Sequence, residues 1–211
     1  QQGLLEKKEC VQTLKAPEKE FGISTELEQT ILKISKQFSS AKKFEQFIYT
    51  HYPEYALRSE LTPRKKQETS PQVFSIGYQG KNIDGFRNQL IQNNVSVLVD
   101  VRNHAFSMKH GFSKKQLEKY LERTGIAYEH IKELGVESKK RKNLENKNTL
   151  QKLFVEYRKE LGNKKEFVQK IMELGKKKRI ALLCFEANPQ ECHRSILGQK
   201  LESQGMPVLH L

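Results

Sequence analysis

The stretch Val95-Ser96-Val97-Leu98-Val99-Asp100-Val101-Arg102 decides how this chain is read. It is almost continuously apolar until it stops at an acid and a base. A short run of this kind, rich in β-branched residues, is expected of a strand buried on both faces of a parallel sheet. On either side, short apolar runs alternate with amphipathic stretches. Val73-Phe74-Ser75-Ile76 precedes a helical pattern carrying Ile83, Phe86, Leu90 and Ile91. A helix is expected from Ser113, with Leu117, Tyr120 and Leu121, closing at Gly125, before a third strand over 126–130. Two further helical patterns lead to the most apolar strand, 180–185, followed by a helix over about 192–204 and a last strand over 208–211. Strands alternating with helices predict an α/β fold. The expected architecture is a Rossmann-like, three-layer domain with a mostly parallel sheet.

Upstream, residues 1–61 read as a small helical segment. Thr25 and Glu28 are spaced as a capping box before Leu27, Ile31, Ile34 and Phe38, and a second helix is expected from about Ser40 to Tyr49. Residues 62–72 carry two prolines and no apolar side chain, the composition of an exposed linker, so the α/β domain is expected over 73–211. The chain opens on Gln1 rather than Met, and an upstream continuation is expected.

The 211 residues contain 36% hydrophobic and 30% charged residues. There is no apolar run near the roughly 18 residues that a membrane span needs. Cys10, Cys184 and Cys192 form an odd set without disulfide-rich spacing, which fits a reducing cytoplasm. The net charge of +13 is unevenly spread, with 26 Lys and Arg against 15 Asp and Glu in residues 71–211. Such an excess favours a polyanionic partner, nucleic acid or a nucleotide. A solvated lysine-rich surface is the plainer reading of the same charge.

Ligands of open α/β sheets bind beyond the carboxyl ends of the strands. Here those ends carry Gly77 and Tyr78, Asp100 and Arg102, Tyr128 and His130, and Glu186 followed by Cys192-His193-Arg194. Asp100 and Glu186 are candidate acid/base or water-positioning groups, with His193 or His130 as the acid/base partner of Glu186, and Arg102, Arg194 and His193 are candidates for holding an anion. A buried network of Asp100, Arg102, Glu186 and Arg194, satisfied without turnover, is the alternative. Arg194 follows Cys192 by two positions and Cys184 by ten, which does not fit the tight cysteine–arginine loop of phosphatase- and rhodanese-like enzymes. Cys192 therefore reads as packed scaffold. Cys184, Cys192 and His193 offer three metal-ligand types, but a fourth is not evident and Cys184 sits in a strand facing the core, so neither metal nor other cofactor is expected. The basic loop Lys139-Lys140-Arg141-Lys142 is a candidate nucleic-acid contact.

Seven separated motifs share one resemblance. Ser-Ile-Gly-Tyr-Gln-Gly-Lys at 75–81, Leu-Val-Asp-Val-Arg at 98–102, Phe-Ser at 106–107, Gly-Phe-Ser-Lys at 111–114, Tyr-Glu-His at 128–130, Glu-Leu-Gly at 133–135, and Leu-Leu-Cys-Phe-Glu through Cys-His-Arg at 182–194 resemble the domain of unknown function 488 family. The resemblance runs from about Val73 to the C-terminus. It implies the α/β fold but no settled biochemistry. It adds Ser107 and Lys109 to the candidate substrate-binding residues. Family members usually have proline where this chain has Ala105 and arginine where it has Met108, and Lys109 is the neighbour that would take over the lost charge. Tyr52-Pro53-Glu54-Tyr55 and Arg58-Ser59-Glu60 resemble the end of an accessory helical domain sometimes joined to this family.

Three functions are therefore open. The leading expectation is an enzyme acting on nucleic acid or a nucleotide by hydrolysis or transfer at a glycosidic or phosphoester bond. The second is a non-catalytic nucleic-acid-binding module with a protein partner recruited by the helical N-terminal segment. The third is a partner-dependent subunit with a vestigial cleft.

Overall fold

The computed structural model describes residues 29, 33, 34, 36–51, 53, 70–141 and 147–211. The chain divides into two compact units, Gln1–Lys66 and Gln67–Leu211. In the first, helix α1 spans Ala41–His51, close to the expected second helix. Its Phe44 and Phe47 rings pack on Phe38 at 5.1 and 5.0 Å between centroids. The expected capping box at Thr25 and Glu28 lies outside the described residues, as does the accessory-domain motif apart from Pro53. Of the expected linker, 62–69 also lies outside them, and Gln72 already belongs to a strand.

The second unit is an α/β domain. Its elements run β1 (Gln72–Gly77), α2 (Ile83–Gln92), β2 (Val97–Asp100), α3 (Lys114–Glu122), β3 (Ala127–His130), α4 (Lys147–Leu161), α5 (Lys165–Lys177), β4 (Arg179–Cys184), α6 (His193–Glu202) and β5 (Val208–His210). The five strands form one sheet in the order β3-β2-β4-β1-β5, and every pairing is parallel. The strands match the expected runs within one or two residues. The largest trimming is at β2, where Ser96 still bonds to Arg179 and Ala127 on either side but Val95 turns back to the Leu90 carbonyl.

Side chains alternate across a strand, so residue parity assigns each to a face. Val73, Val97, Val99, Ile180 and Leu182 share one core with Leu153, Tyr157 and Leu161 of α4, Val168, Ile171 and Met172 of α5, and Ile196, Leu197 and Leu201 of α6. The intervening positions, Phe74, Ile76, Leu98, Ala181 and Leu183, are equally buried and point the other way. There the apolar stripes of α2 (Phe86, Leu90, Ile91) and α3 (Leu117, Leu121) supply the cover. This two-sided burial explains why the strands lack the apolar–polar alternation of a half-exposed sheet. Among the described residues no helix is long and apolar enough to cross a membrane.

Local chemistry sets the helix ends. Asn82 caps α2 by accepting from the Gly85 N–H at 2.7 Å. Past α3, Gly125 takes φ 73°, a left-handed conformation that ends the helix at the expected place. Two other glycines permit close approach. A Cβ on Gly77 would sit 1.8 Å from the Glu186 carbonyl oxygen, and one on Gly135 would sit 2.0 Å from the Asn103 nitrogen. Each contact is backbone against backbone, which no rotamer change can relieve. Gly77→Ala and Gly135→Ala are each expected to destabilise the domain by about 2 to 3 kcal/mol, whereas Gly80→Ala, which meets no neighbouring atom but must hold φ 77°, should cost about 1 kcal/mol. Urea unfolding of the three variants checks the order.

Candidate functional site

Because all five strands are parallel, Gly77, Asp100, His130, Cys184 and His210 end on one edge of the sheet. Parity divides the side chains there into two groups. Asp100 follows Leu98 onto the α2/α3 face. Ser75 and Cys184 follow Val73 and Leu182 onto the face covered by α4, α5 and α6.

On the first face, Asp100 and Arg102 pair off. The carboxylate is fully buried and accepts from the Arg102 backbone N–H (3.0 Å), Nε (2.9 Å) and Nη2 (2.5 Å), and from the Tyr128 hydroxyl (2.6 Å). The remaining guanidinium nitrogen, Nη1, donates to the Tyr78 hydroxyl at 3.0 Å, and the guanidinium carbon lies 5.2 Å from the Tyr78 ring centroid. Burial opposes the Arg102 charge, but the hydrogen bonds and field of Asp100 outweigh it and raise the pKa above its ordinary value. Burial, reinforced by the Asp100 charge, pushes the Tyr128 hydroxyl well above its ordinary value. His130 Nε2 lies 2.8 Å from the Arg102 carbonyl oxygen, which fixes that nitrogen as the protonated one. The Tyr78 ring stacks on Phe112 at 4.4 Å and meets Phe185 edge-on at 5.2 Å.

On the second face, Arg194 is the largest fully buried side chain. Its Nε donates to Ser75 Oγ (3.1 Å), Nη1 to the Glu186 carbonyl and Nη2 to the Ala187 carbonyl (2.9 Å). Ser75 Oγ is also 2.8 Å from His210 Nδ1. The arginine thus ties α6, β1, β5 and the turn after β4 together, each of its three nitrogens donating to a protein oxygen. Beside it, His193 donates from Nε2 to the Val101 carbonyl at 3.2 Å. Its Nδ1 faces Cys184 Sγ at 3.7 Å and Cys192 Sγ at 3.8 Å. The Tyr157 ring packs edge-on against the imidazole at 5.2 Å while its hydroxyl donates to the Leu134 carbonyl.

Cys184 Sγ also lies within hydrogen-bond distance, 3.2 Å, of Glu186 Oε2. The Cys192 hydrogen bond, together with His193, draws the Cys184 thiol well below its ordinary value. Burial and the neighbouring Cys184 push Cys192 well above its own. Burial, then the adjacent Cys184 charge, raises the Glu186 carboxyl.

The structure therefore brings together Asp100, Arg102, Tyr78, Tyr128 and His130 in one network, and Glu186, His193, Cys184 and Cys192 in another. Ser107 orders the loop after β2, its N–H donating to Ser113 Oγ (3.0 Å) and its own Oγ accepting from the Lys109 N–H (3.1 Å). Lys109 Nζ reaches back to the Tyr78 carbonyl at 3.2 Å. The basic loop is elsewhere: Lys140 pairs with Glu156 and Glu160 of α4, Lys139 is exposed, Arg141 is half-buried, and Lys142 lies outside the described residues. The sequence reading missed Ser75 and Tyr157. A serine inside an otherwise apolar strand was the available signal for the first; for the second, a tyrosine in an apolar stripe gives none.

The sequence pattern of the family described as domain of unknown function DUF488 matches residues 82–201. The chain belongs to that family. No curated protein and no solved structure matches it. The match ends just short of β5 and begins after β1, so the residues that the two networks draw from β2, β3, β4 and α6 all lie inside it, while Ser75, Tyr78 and His210 come from the flanking strands.

Removing the Asp100 charge strands a buried guanidinium, whereas removing the Tyr128 hydroxyl deletes one charge-assisted hydrogen bond. Asp100→Asn is expected to cost about 3 to 5 kcal/mol and Tyr128→Phe about 1.5 to 3 kcal/mol. Equal losses in denaturant titrations would contradict this arrangement.

Proposed function

We propose that this DUF488 chain binds nucleic acid or a nucleotide at the carboxyl edge of its sheet, and that the two polar networks are the framework of that surface rather than its chemistry. Asp100 supports this most directly. Both of its oxygens are taken by Arg102 and Tyr128 in full burial, which leaves no lone pair directed at a substrate. Arg194 is likewise buried and bonded to Ser75 and two backbone carbonyls, and His193 is buried with Nε2 on the Val101 carbonyl and Nδ1 facing the two cysteine sulfurs rather than solvent. Of the two leading readings, hydrolase or transferase and binding module, this favours the second.

The recognition surface is the loop after β2 together with the turn after β4. Phe106 is 74% exposed, Met108 96% and Phe185 41%. Phe106 and Met108 are interleaved with His104, Lys109 and His110, and Lys114 and Lys115 follow in the first turn of α3. Exposed rings among cations are what a flexible polyanion with stackable bases uses: the rings take bases, and the cations take phosphates. Met108, where the family usually carries arginine, widens the apolar part of this surface at the expense of one charge.

The test is fluorescence anisotropy with single-stranded DNA, RNA and labelled nucleotides across a salt series. Phe106→Ala is expected to weaken binding about tenfold or more, the scale of one lost stacking contact. Lys109→Glu should weaken it and flatten the salt slope by about one phosphate's worth, and Lys139→Glu should change it little. Salt-insensitive or absent binding of every probe would sink the proposal. Turnover of any probe by the wild type that is lost in Glu186→Gln would instead restore the catalytic reading.

A further inference from the structure

The second of those networks holds a compact cluster of metal-ligand side chains. Cys184, Cys192 and His193 are all buried, and their ligand atoms lie within 4.8 Å of one another. We infer that Cys184, Cys192, His193 and Glu186 form a binding site for one zinc-class divalent ion, which fastens the carboxyl end of β4 to the start of α6.

The geometry fits a tetrahedral ion. Zinc bonds of about 2.3 Å to sulfur and about 2.0 Å to nitrogen place the ligand atoms of a tetrahedral site about 3.6 Å apart. His193 Nδ1 stands 3.7 Å from one sulfur and 3.8 Å from the other. The imidazole already has the orientation of a ligand. Its Nε2–H is held by the Val101 carbonyl, which leaves the Nδ1 lone pair aimed at the two sulfurs, and metal-bound histidines are generally oriented by such a second hydrogen bond. Tyr157 fixes the ring from the side.

The fourth ligand comes from the turn after β4. Glu186 follows Cys184 by two residues and its Oε2 is 3.2 Å from the Cys184 sulfur; its carboxylate is not among the three groups whose ligand atoms already meet, so this half-exposed side chain must swing from that sulfur to the open corner to complete the site. Arg194 holds that turn through the Glu186 and Ala187 carbonyls. Two sulfurs, one imidazole nitrogen and one carboxylate select a borderline ion such as Zn2+ over Mg2+ or Ca2+, which prefer all-oxygen sites. On binding, each cysteine thiol loses its proton to solvent, so uptake should fall as pH is lowered.

The test uses the full 211-residue chain, purified under reducing conditions, stripped with chelator and titrated with Zn2+ or Co2+. One Co2+ per chain is expected, with the thiolate-to-cobalt charge-transfer and intense visible bands of a tetrahedral thiolate site. Cys184→Ser and Cys192→Ser should abolish those bands. Should either fail to fold, Glu186→Gln, at a half-exposed position, should still bind cobalt with roughly 10- to 100-fold lower affinity and shifted visible bands. Cys10→Ser should be without effect. Octahedral cobalt spectra without charge-transfer bands, bands that persist in Cys192→Ser, or a wild type unable to take up Zn2+ with both thiols free would each overturn the site. None of these readouts depends on nucleic-acid binding, so the two proposals stand or fall separately.

Discussion

The buried ion pair between Asp100 and Arg102 is the constraint around which the carboxyl edge is organised. A carboxylate removed from water is costly unless its lone pairs are met. Here a bidentate guanidinium, a backbone N–H and the Tyr128 hydroxyl meet them. Meeting them dictates much else. Arg102 must fold back over its own strand, which turns its carbonyl toward His130 and its outer nitrogen toward Tyr78. Tyr78 is thereby held between Phe112 and Phe185, and the loop after β2 is drawn across the strand ends, with Lys109 bonded to the Tyr78 carbonyl.

Arg194 performs the equivalent task on the opposite face with a different set of acceptors. Among the described residues no carboxylate forms a salt bridge with it; three oxygens, two of them backbone carbonyls, share its charge. That arrangement requires the turn after β4 to run directly over β1, and Gly77 is there because any side chain would strike the Glu186 carbonyl. Gly135 answers the same need where the segment after β3 crosses Asn103. The motifs around both glycines are thus explained by backbone clearance. A strand-edge arginine beside histidine and cysteine suggests anion chemistry when read in isolation, yet the physical cost of an unpaired buried guanidinium explains the same residues without a ligand. What remains facing solvent is the apolar and basic rim, Phe106, Met108, Phe185 and the neighbouring lysines.

How far the sequence alone reaches depends on which interaction carries the information. Strand identity was legible because burial on both faces demands continuous apolar runs, and 97–100 and 179–184 satisfy that demand without any neighbour being known. The end of α3 at Gly125 was legible because a positive φ favours glycine whatever the tertiary setting. Parity along β4 placed Cys184 toward the core, but the sequence did not say that His193 and Cys192 would be waiting on that same face; the return of α6 over the sheet decided this. The residue types allowed both an open cleft, the leading expectation, and a closed network. Separating them needed the distances from Asp100 to Arg102 and from Arg194 to Ser75, contacts that span from two to more than a hundred positions in the chain.

The sequence by itself determined the layered α/β domain, the family, the basic balance and the set of polar residues at the strand ends, because each follows from local periodicity, composition or short motifs. Tertiary structure alone decided the strand order β3-β2-β4-β1-β5, the partners of Asp100 and Arg194, and the meeting of two cysteines, a histidine and a glutamate. The physical reason is that the two-residue period of a strand fixes which face a side chain takes, whereas its partners are fixed by which helices and strands the crossovers bring back to that face.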